Sequence, residues 1–252
     1  MKSYLALAWK ELKAQKITAI LILVAVIMST IMTTVIGQSI GILQSMRIQQ
    51  AAGLNGNRYA TFHQLGKEQA QKLHEDDRLY DVGDTIFIGS TPLGNSSLSL
   101  YLREYHDNAL SMYPAIGNVK EGRLPEEAIE IALSEDALQY LGLDAVIGDT
   151  VSLDLSVSVM DGSLSELEYS ADFVLTGILE SSYIGYASGT VEGIVGEGTA
   201  EELLPEEYLL YSTDFKTYDK QNFQSIIYAL AEDLNVDERY IPVSYTHLTL
   251  PT

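Results

Sequence analysis

The chain is 252 residues long, carries 35 acidic against 15 basic side chains and contains no cysteine. A net charge of −20 excludes a nucleic-acid-binding surface, which needs a basic footprint to meet phosphate. The lack of cysteine rules out disulfides and thiolate metal sites, and it suits an exported domain that avoids stray thiols.

The charge is unevenly spread along the chain. Lys2, Lys10, Lys13 and Lys16 face a single Glu11 in the first 16 residues, a net of +3. The remaining 11 basic and 34 acidic side chains give the rest of the chain a net of −23. Tyr4, Leu5, Leu7, Ala8, Trp9, Leu12 and Ala14 alternate with the lysines. Residues 1–16 therefore read as a short amphipathic helix on the cytoplasmic membrane surface, with Tyr4 and Trp9 at headgroup depth. Residues 17–46 then run without one charge, opening ITAILILVAVIMSTIMTTVI. At about 1.5 Å per residue such a helix could extend roughly 45 Å, against a hydrocarbon core of about 30 Å. This is a transmembrane helix. The apolar run exceeds the ~7–15 residues of a signal-peptide core and no small-x-small cleavage site follows it. The flanking lysines keep the N-terminus cytoplasmic, so the acidic domain beyond faces outward.

SMRIQQAAGLNGNR extends the helix until Gly53 and Gly56 end it. NRYATFHQL reads as a strand with Tyr59, Thr61 and His63 on one face, and GKEQAQKLHED as a helix. VGDTIFIG and SSLSLYLREY are strands joined at Asn95 and Ser96. EIAL is a short buried strand, and SEDALQYLGL a helix stopped by Gly142. DTVSLDLSVSV alternates strictly, which puts Val151, Leu153, Leu155, Val157 and Val159 on one buried face. LEYSADFVLTGIL is its hairpin partner across MDGSLSE. Thr199 with Glu202 forms a capping box that starts a helix in GTAEELL. YLLYST is a strand, and KQNFQSIIYALAEDL an amphipathic helix with Phe223, Ile226, Ile227, Leu230 and Leu234 inward. The fold class is α+β: one long transmembrane helix, then an extracytoplasmic domain over 47–242. Its α+β part takes in about 47–95 and 205–242, and a β-rich insert about 96–204. Sixteen tyrosines against five phenylalanines fit such a β-rich surface.

The last ten residues, VSYTHLTLPT, follow no logic of this fold. Their back-translation resembles a transposase adapter from sequencing libraries, read in frame. Residues 243–252 are therefore expected to be foreign to the fold, and the natural protein to continue beyond Pro242.

Several motifs carry less chemistry than their spelling suggests. Gly37-Gln38-Ser39-Ile40-Gly41 matches the G-x-S-x-G elbow of hydrolases, but it sits inside an apolar helix rather than on a strand-to-helix turn. The same residues give G-x-x-x-G, so Gly37 and Gly41 are candidates for close helix packing. Asp233-x-Asn235-x-Asp237 resembles the start of a calcium loop, yet Glu238 stands where the sharp-turn glycine belongs and Ser244 where the last ligand belongs. His63, His74 and His106 lack paired-ligand spacing and read as surface or satisfied side chains. Asp76 with Asp77, and Glu126 with Glu127, read as solvated turns. Gly66-Lys67 is followed by Glu68 and lacks the upstream glycine, so there is no P-loop and no ATP hydrolysis by this chain. No cofactor, metal or catalytic residue is expected.

NVKEGRLPEEAIEIALSEDALQYLGLDAVIGDTVSLDL, followed after a hairpin by ADFVLTGIL, resembles the extracytoplasmic core domain of the MacB/FtsX-like ABC transporter permeases. That family shows a Gly-Arg turn, a short strand running into a helix, a Gly-Asp-x-hydrophobic strand and a strand ending hydrophobic-Gly-Ile. Here these are Gly122, Arg123, Leu124 and Pro125, then 130–141, then Gly148 and Asp149 with Thr150 and Val151, then 173–178 with Gly177. A lysine-rich start, one span and a large outer domain complete the order. The resemblance implies a non-catalytic permease subunit that pairs with a cytoplasmic ABC ATPase subunit and a second permease subunit, among membrane lipids, in the bacterial plasma membrane. It implies motion passed from the ATPase through the helices to the outer domain, for export, lipid or lipoprotein handling, or signalling. The alternatives are a single-pass binding or sensor protein, and a membrane-anchored hydrolase that would need His63 or His106 gathered with a serine and a carboxylate.

Overall fold

The computed structural model describes residues 15–94, 96–161, 163–181 and 189–241, the side chains of 19, 40–55, 160, 161, 163, 164 and 238 excepted. The expected surface helix with Tyr4 and Trp9, the turn residue Asn95 and the tail 243–252 lie outside the described residues. The chain divides into two units, Met1–Gln49 and Gln50–Thr252.

The first unit is helical. Helix α1 (Lys16–Asn55) is 40 residues long, and its first 24, Lys16–Ser39, are long and apolar enough to cross a membrane. Ile20, Leu21, Ile22 and Leu23 follow one another, so they point to four different sides, and all are exposed. A helix apolar all round with nothing over it is the pattern that lipid stabilises and water does not. Four of its hydroxyls are satisfied within the helix. Thr30, Thr33, Thr34 and Ser39 donate to the carbonyls of Val26, Ser29, Thr30 and Val35 at 2.7–2.8 Å. Hydrocarbon offers no other partner, so this back-bonding is what a span requires. Ser39 thus lies within a continuous helix, where no nucleophile elbow can form.

The second unit is built on one nine-stranded sheet with short helices against it. Its elements are β1 (Ala60–Leu65), α2 (Lys67–His74), β2 (Leu79–Pro92), β3 (Ser99–Tyr105), β4 (Val119–Gly122), β5 (Glu130–Ser134) and α3 (Glu135–Leu141), followed by β6 (Thr150–Asp161), β7 (Ser163–Leu179), β8 (Thr190–Val195), α4 (Thr199–Leu203), β9 (Tyr211–Thr217) and α5 (Phe223–Leu234). Along the sheet the order is β1-β9-β2-β3-β8-β5-β7-β4. The chain is therefore mixed α/β, with one apolar helix ahead of a sheet-rich domain.

Strand β6 pairs with β7 along its whole length and touches β2 at Ser90 and Ser156. This closes β2, β3, β8, β5, β7 and β6 into a ring. At the closure a Cβ on Gly89 would stand 3.2 Å from both Leu155 Cβ and the Ser156 carbonyl oxygen, tighter than an ordinary contact, so glycine eases the approach of β6. Val151, Leu153, Leu155, Val157 and Val159 are all buried, as their alternation predicts. The first three fill the ring with Ile86, Ile88, Leu100, Leu102, Ile131, Leu133, Phe173 and Leu175. The opposite face of β6 carries Ser152 and Asp154, bonded across the ladder to Asp172 and Ser170.

A second core lies on the β1-β9 wing. Phe62 and Phe215 meet edge to face there, with ring centroids 5.1 Å apart, and α2 and α5 cover them with Leu73, Phe223, Ile227 and Leu230. Such a pair adds about 0.5–1.5 kcal/mol beyond its buried area. Ile226, expected inward, is only half-buried, and Ala231 takes the inner position.

Three local expectations shift. The strand sought in YLLYST begins at Tyr211 and runs to Thr217, because it pairs with both β1 and β2 in that register. Thr199 does not cap α4. Its hydroxyl donates to the Gly196 carbonyl at 2.6 Å and accepts from the Ile129 amide at 3.0 Å. The cap comes from the distant, fully buried Glu104, whose carboxylate accepts from the Gly198 and Ala200 amides at 2.8 and 2.6 Å. Face assignment in β1 also divides: Thr61 and His63 share one face, while Tyr59, expected with them, joins Ala60 and Phe62 in the core under the helices and meets Phe223 edge to face.

Candidate functional site

The motif residues from 122 to 177 gather at one corner of the ring. Gly122 lies opposite Gly177 in the β4–β7 ladder, and the Arg123 amide donates to the Thr176 carbonyl at 3.0 Å. Gly122 has φ +80°, and a Cβ there would stand 2.3 Å from the Thr176 carbonyl oxygen. Arg123 forms a two-pronged pair with Glu130, Nη1–Oε2 2.8 Å and Nη2–Oε1 2.5 Å. Glu130 also accepts from the Glu126 and Glu127 amides, so the turn across Leu124 and Pro125 closes onto β5. Arg123 holds the Glu130 carboxyl down to about 2. Gly148 donates its amide to the Leu175 carbonyl at 2.8 Å, with φ +97° and open space where a Cβ would be. Asp149 accepts from the Val146 amide through its side chain at 3.0 Å. These residues are joined to one another and to backbone, so the corner is a structural joint. Gly37 has nothing within 4 Å of its Cβ position; Gly41 lies in the same helix, in the stretch described by its backbone alone.

The chemically richest place is a cleft of about 220 Å³ on the other face of β1, β9, β2, β3 and β8. It lies beneath the loop that follows β3. Asp214, 1% exposed, is its anchor. Its Oδ1 takes Arg58 Nε at 2.9 Å and the Thr61 hydroxyl at 2.5 Å, and its Oδ2 takes the Tyr113 hydroxyl at 2.7 Å. The Tyr113 ring lies 5.3 Å from the Arg58 guanidinium carbon, a cation–π contact that holds the loop over the cleft. Opposite, Arg103 Nε meets Glu192 at 3.0 Å, and its guanidinium faces the rings of Phe87 and Tyr101. Burial pushes the Asp214 and Glu192 carboxyls up, against the pull of the arginines. Burial likewise raises Tyr105 and Tyr113. His63 lines the same cleft, with Nδ1 2.9 Å from the Ser212 hydroxyl. Burial, with Arg58 and Arg103 adding to it, lowers its pKa to about 4, so the ring is neutral at physiological pH.

A second cluster joins His74, Asp84 and Asp107, whose ligand atoms lie within 4.8 Å of one another. His74 Nε2 is 2.9 Å from Asp84 Oδ2 and 3.9 Å from Asp107 Oδ2. One imidazole with two carboxylates is a donor set that suits zinc or manganese. The groups also satisfy each other: Asp84 accepts from Thr213 at 2.5 Å, and its bond to His74 raises the imidazole pKa. His106 stands 2.8 Å from Glu104, and that carboxylate raises its pKa too.

The face shared by Thr61 and His63 is readable in the sequence, but the partners of this face are not. Arg58, Arg103, Glu192 and Asp214 are far apart along the chain and meet only through the β1-β9-β2-β3-β8 order. The calcium-like run ends as a helix terminus: Asn235 is the left-handed residue closing α5, Asp233 pairs with Arg78 and Asp237 with Arg239. Asp76 closes a turn onto Arg78 at 2.7 Å.

No family model matches the sequence, and no match is found among curated proteins. Among solved structures, the chain is similar to the periplasmic region of MacB from Actinobacillus actinomycetemcomitans. The identity is 14% and the TM-score 0.48, over 77% of this chain and 91% of that one.

Proposed function

We propose that this chain belongs to a permease subunit of a MacB/FtsX-like ABC transporter. In this reading α1 spans the bacterial plasma membrane with the N-terminus cytoplasmic, and the sheet domain is extracytoplasmic. A separate cytoplasmic ATPase subunit hydrolyses ATP, and a second permease subunit completes a dimer. The permease itself is non-catalytic and passes motion to its outer domain, for export, lipid or lipoprotein handling, or signalling. One observation carries the reading: the family's motifs stand in the family's order from Gly122 to Gly177, behind a lysine-flanked apolar helix. The joint those residues build around the Arg123–Glu130 pair supports it, since a domain that transmits motion needs a corner that does not give.

Reading the gene through codon 243 from an independent long-read preparation is the first test. A frame that continues past Pro242 into further hydrophobic helices supports the permease; a stop after the same ten codons favours the single-pass sensor. A neighbouring gene for an ABC ATPase would add support, and co-expression with its product is the functional test. The ATPase should co-purify, and its turnover in nanodiscs should depend on this subunit. Independence of the two overturns the proposal. Because the chain has no cysteine, orientation is open to a clean assay. A membrane-impermeant maleimide should label Ser111→Cys and spare Ser3→Cys in intact cells.

The His63–Ser212 pair favours a second reading, a membrane-anchored hydrolase, because the cleft joins a histidine, a serine and two carboxylates. A serine nucleophile needs a base oriented by a third group. Among the described residues neither Asp214 nor Glu192 bonds to His63. An imidazole with a pKa near 4 is also a poor base at neutral pH. Ester hydrolysis abolished by Ser212→Ala, with the fold intact, would establish this reading.

A further inference from the structure

We propose that the cleft beneath Tyr113 binds a small molecule through a carboxylate group. The inference does not depend on the permease reading.

Two polar atoms in the wall of this cleft are sealed from solvent and have no partner: Arg58 Nη1 and the Thr85 hydroxyl. Thr85 is 4% exposed. Leaving such groups unsatisfied is costly, and more so where the group is charged. Neighbouring side chains do not relieve them. Asp214 already accepts from Thr61 and Tyr113 and pairs with Arg58 Nε, whose N–H donates to the Thr61 hydroxyl, and Glu192 is bonded to Arg103. Arg58 meets Asp214 through Nε, which leaves its Nη1 for a further acceptor, and the Arg103 guanidinium lines the same cleft. What is missing is an oxygen acceptor with several lone pairs, placed between Arg58, Arg103 and Thr85.

Charge and size narrow the class. Arg58 and Arg103 are balanced by Asp214 and Glu192, and His63 is neutral, so the empty cleft carries no net charge. One added negative charge can be carried by Arg58 Nη1, with the Arg103 guanidinium beside it. Two would crowd the buried carboxylates. A carboxylate fits this balance better than a phosphate dianion. The volume of about 220 Å³ is near that of seven waters at ~30 Å³ each, enough for an amino-acid-sized molecule. Tyr105 and Tyr113 offer aromatic walls for the remainder of such a ligand.

The test uses the full chain in nanodiscs, titrated with acetate, glycine and inorganic phosphate, and read by calorimetry and thermal unfolding. Acetate or glycine should bind saturably and raise the unfolding temperature. Thr85→Val removes only the unpartnered hydroxyl and should fold at least as well as the parent. It should weaken binding at least tenfold, as should Arg103→Gln. No saturable binding up to 100 mM would mean that water alone fills the cleft, and would overturn the proposal. Equal binding by parent and both variants would mark a general ion effect and do the same. Phosphate binding without acetate or glycine binding would overturn the carboxylate assignment.

Discussion

Gly122 and Gly177 face each other across the β4–β7 ladder, and each occupies space that a side chain would deny to the other strand. A Cβ on Gly177 would stand 2.2 Å from the Arg123 carbonyl oxygen. Backbone on both sides leaves no flexible group to move aside. Gly177→Ala should destabilise the sheet domain by about 3 kcal/mol, through overpacking at a rigid contact. Gly142 is the control. It closes α3 with φ +72° and open space around it, so Gly142→Ala should cost only the left-handed strain, about 1 kcal/mol. Chemical denaturation of the three proteins side by side measures both, and equal effects would refute the close-approach account.

The Arg123–Glu130 pair sets an acid limit on the same corner. The folded Glu130 pKa, about 2, lies below the ordinary 4.5. A depressed carboxyl stabilises the fold above its unfolded pKa and loses that contribution as pH falls through the folded value. The window is therefore about pH 4.5 down to 2. Arg123 is half-exposed, so water and salt screen part of the gain. Glu130→Gln should lower stability at pH 7 and flatten the acid limb of the stability profile. A profile of unchanged shape below pH 4.5 would show that the pair contributes nothing.

His63 should act in a neighbouring window. Its folded pKa is near 4 against 6.5 unfolded, so between those values the unfolded chain binds more protons. Stability contributed by the neutral ring is complete above about pH 6.5 and declines as pH falls toward 4. The full difference is about 3 kcal/mol at 1.36 kcal/mol per unit. His74 runs the opposite way. Asp84 raises its pKa, so its contribution is complete below about 6.5 and is lost as pH rises through the raised value. Subtracting the pH–stability curve of His63→Gln from that of the parent should isolate the first slope. A flat difference from pH 6.5 to 4 would contradict the burial of this ring.

Much of this fold is legible because its signals are local. The alternation from Val151 to Val159, the glycine that stops α3, and the charge-free run behind Lys16 each follow from a few consecutive residues and a known period. The Gly122, Gly148 and Gly177 positions could be found as a pattern, but their reason is spatial: two strands meet at 122 and 177, and neither residue predicts the other's crowding. The cleft was invisible for the same cause. Thr61 and His63 show a shared face, yet their partners stand on four other strands, and no period links Arg58 with Arg103 or Asp214 with Glu192. The cap of α4 illustrates the limit. Thr199 and Glu202 have the spacing of a local capping box, and the buried carboxylate of Glu104 displaces it from across the sheet.

The last prediction concerns the span. A Cβ on Gly37 would meet nothing within 4 Å, so a larger residue there costs little inside the chain apart from what it blocks between helices. Gly37 and Gly41 are one helical turn apart and lie on the same side, which is the spacing that lets two helices approach closely in lipid. Substituting both by leucine adds bulk without adding polarity, so insertion should be unaffected. If this stripe seats a second permease subunit, the double variant should weaken association at least roughly tenfold, about 1.4 kcal/mol. Energy transfer between labelled chains in nanodiscs or a membrane two-hybrid assay reads that loss directly. Undiminished association of the double variant would remove the stripe from the interface.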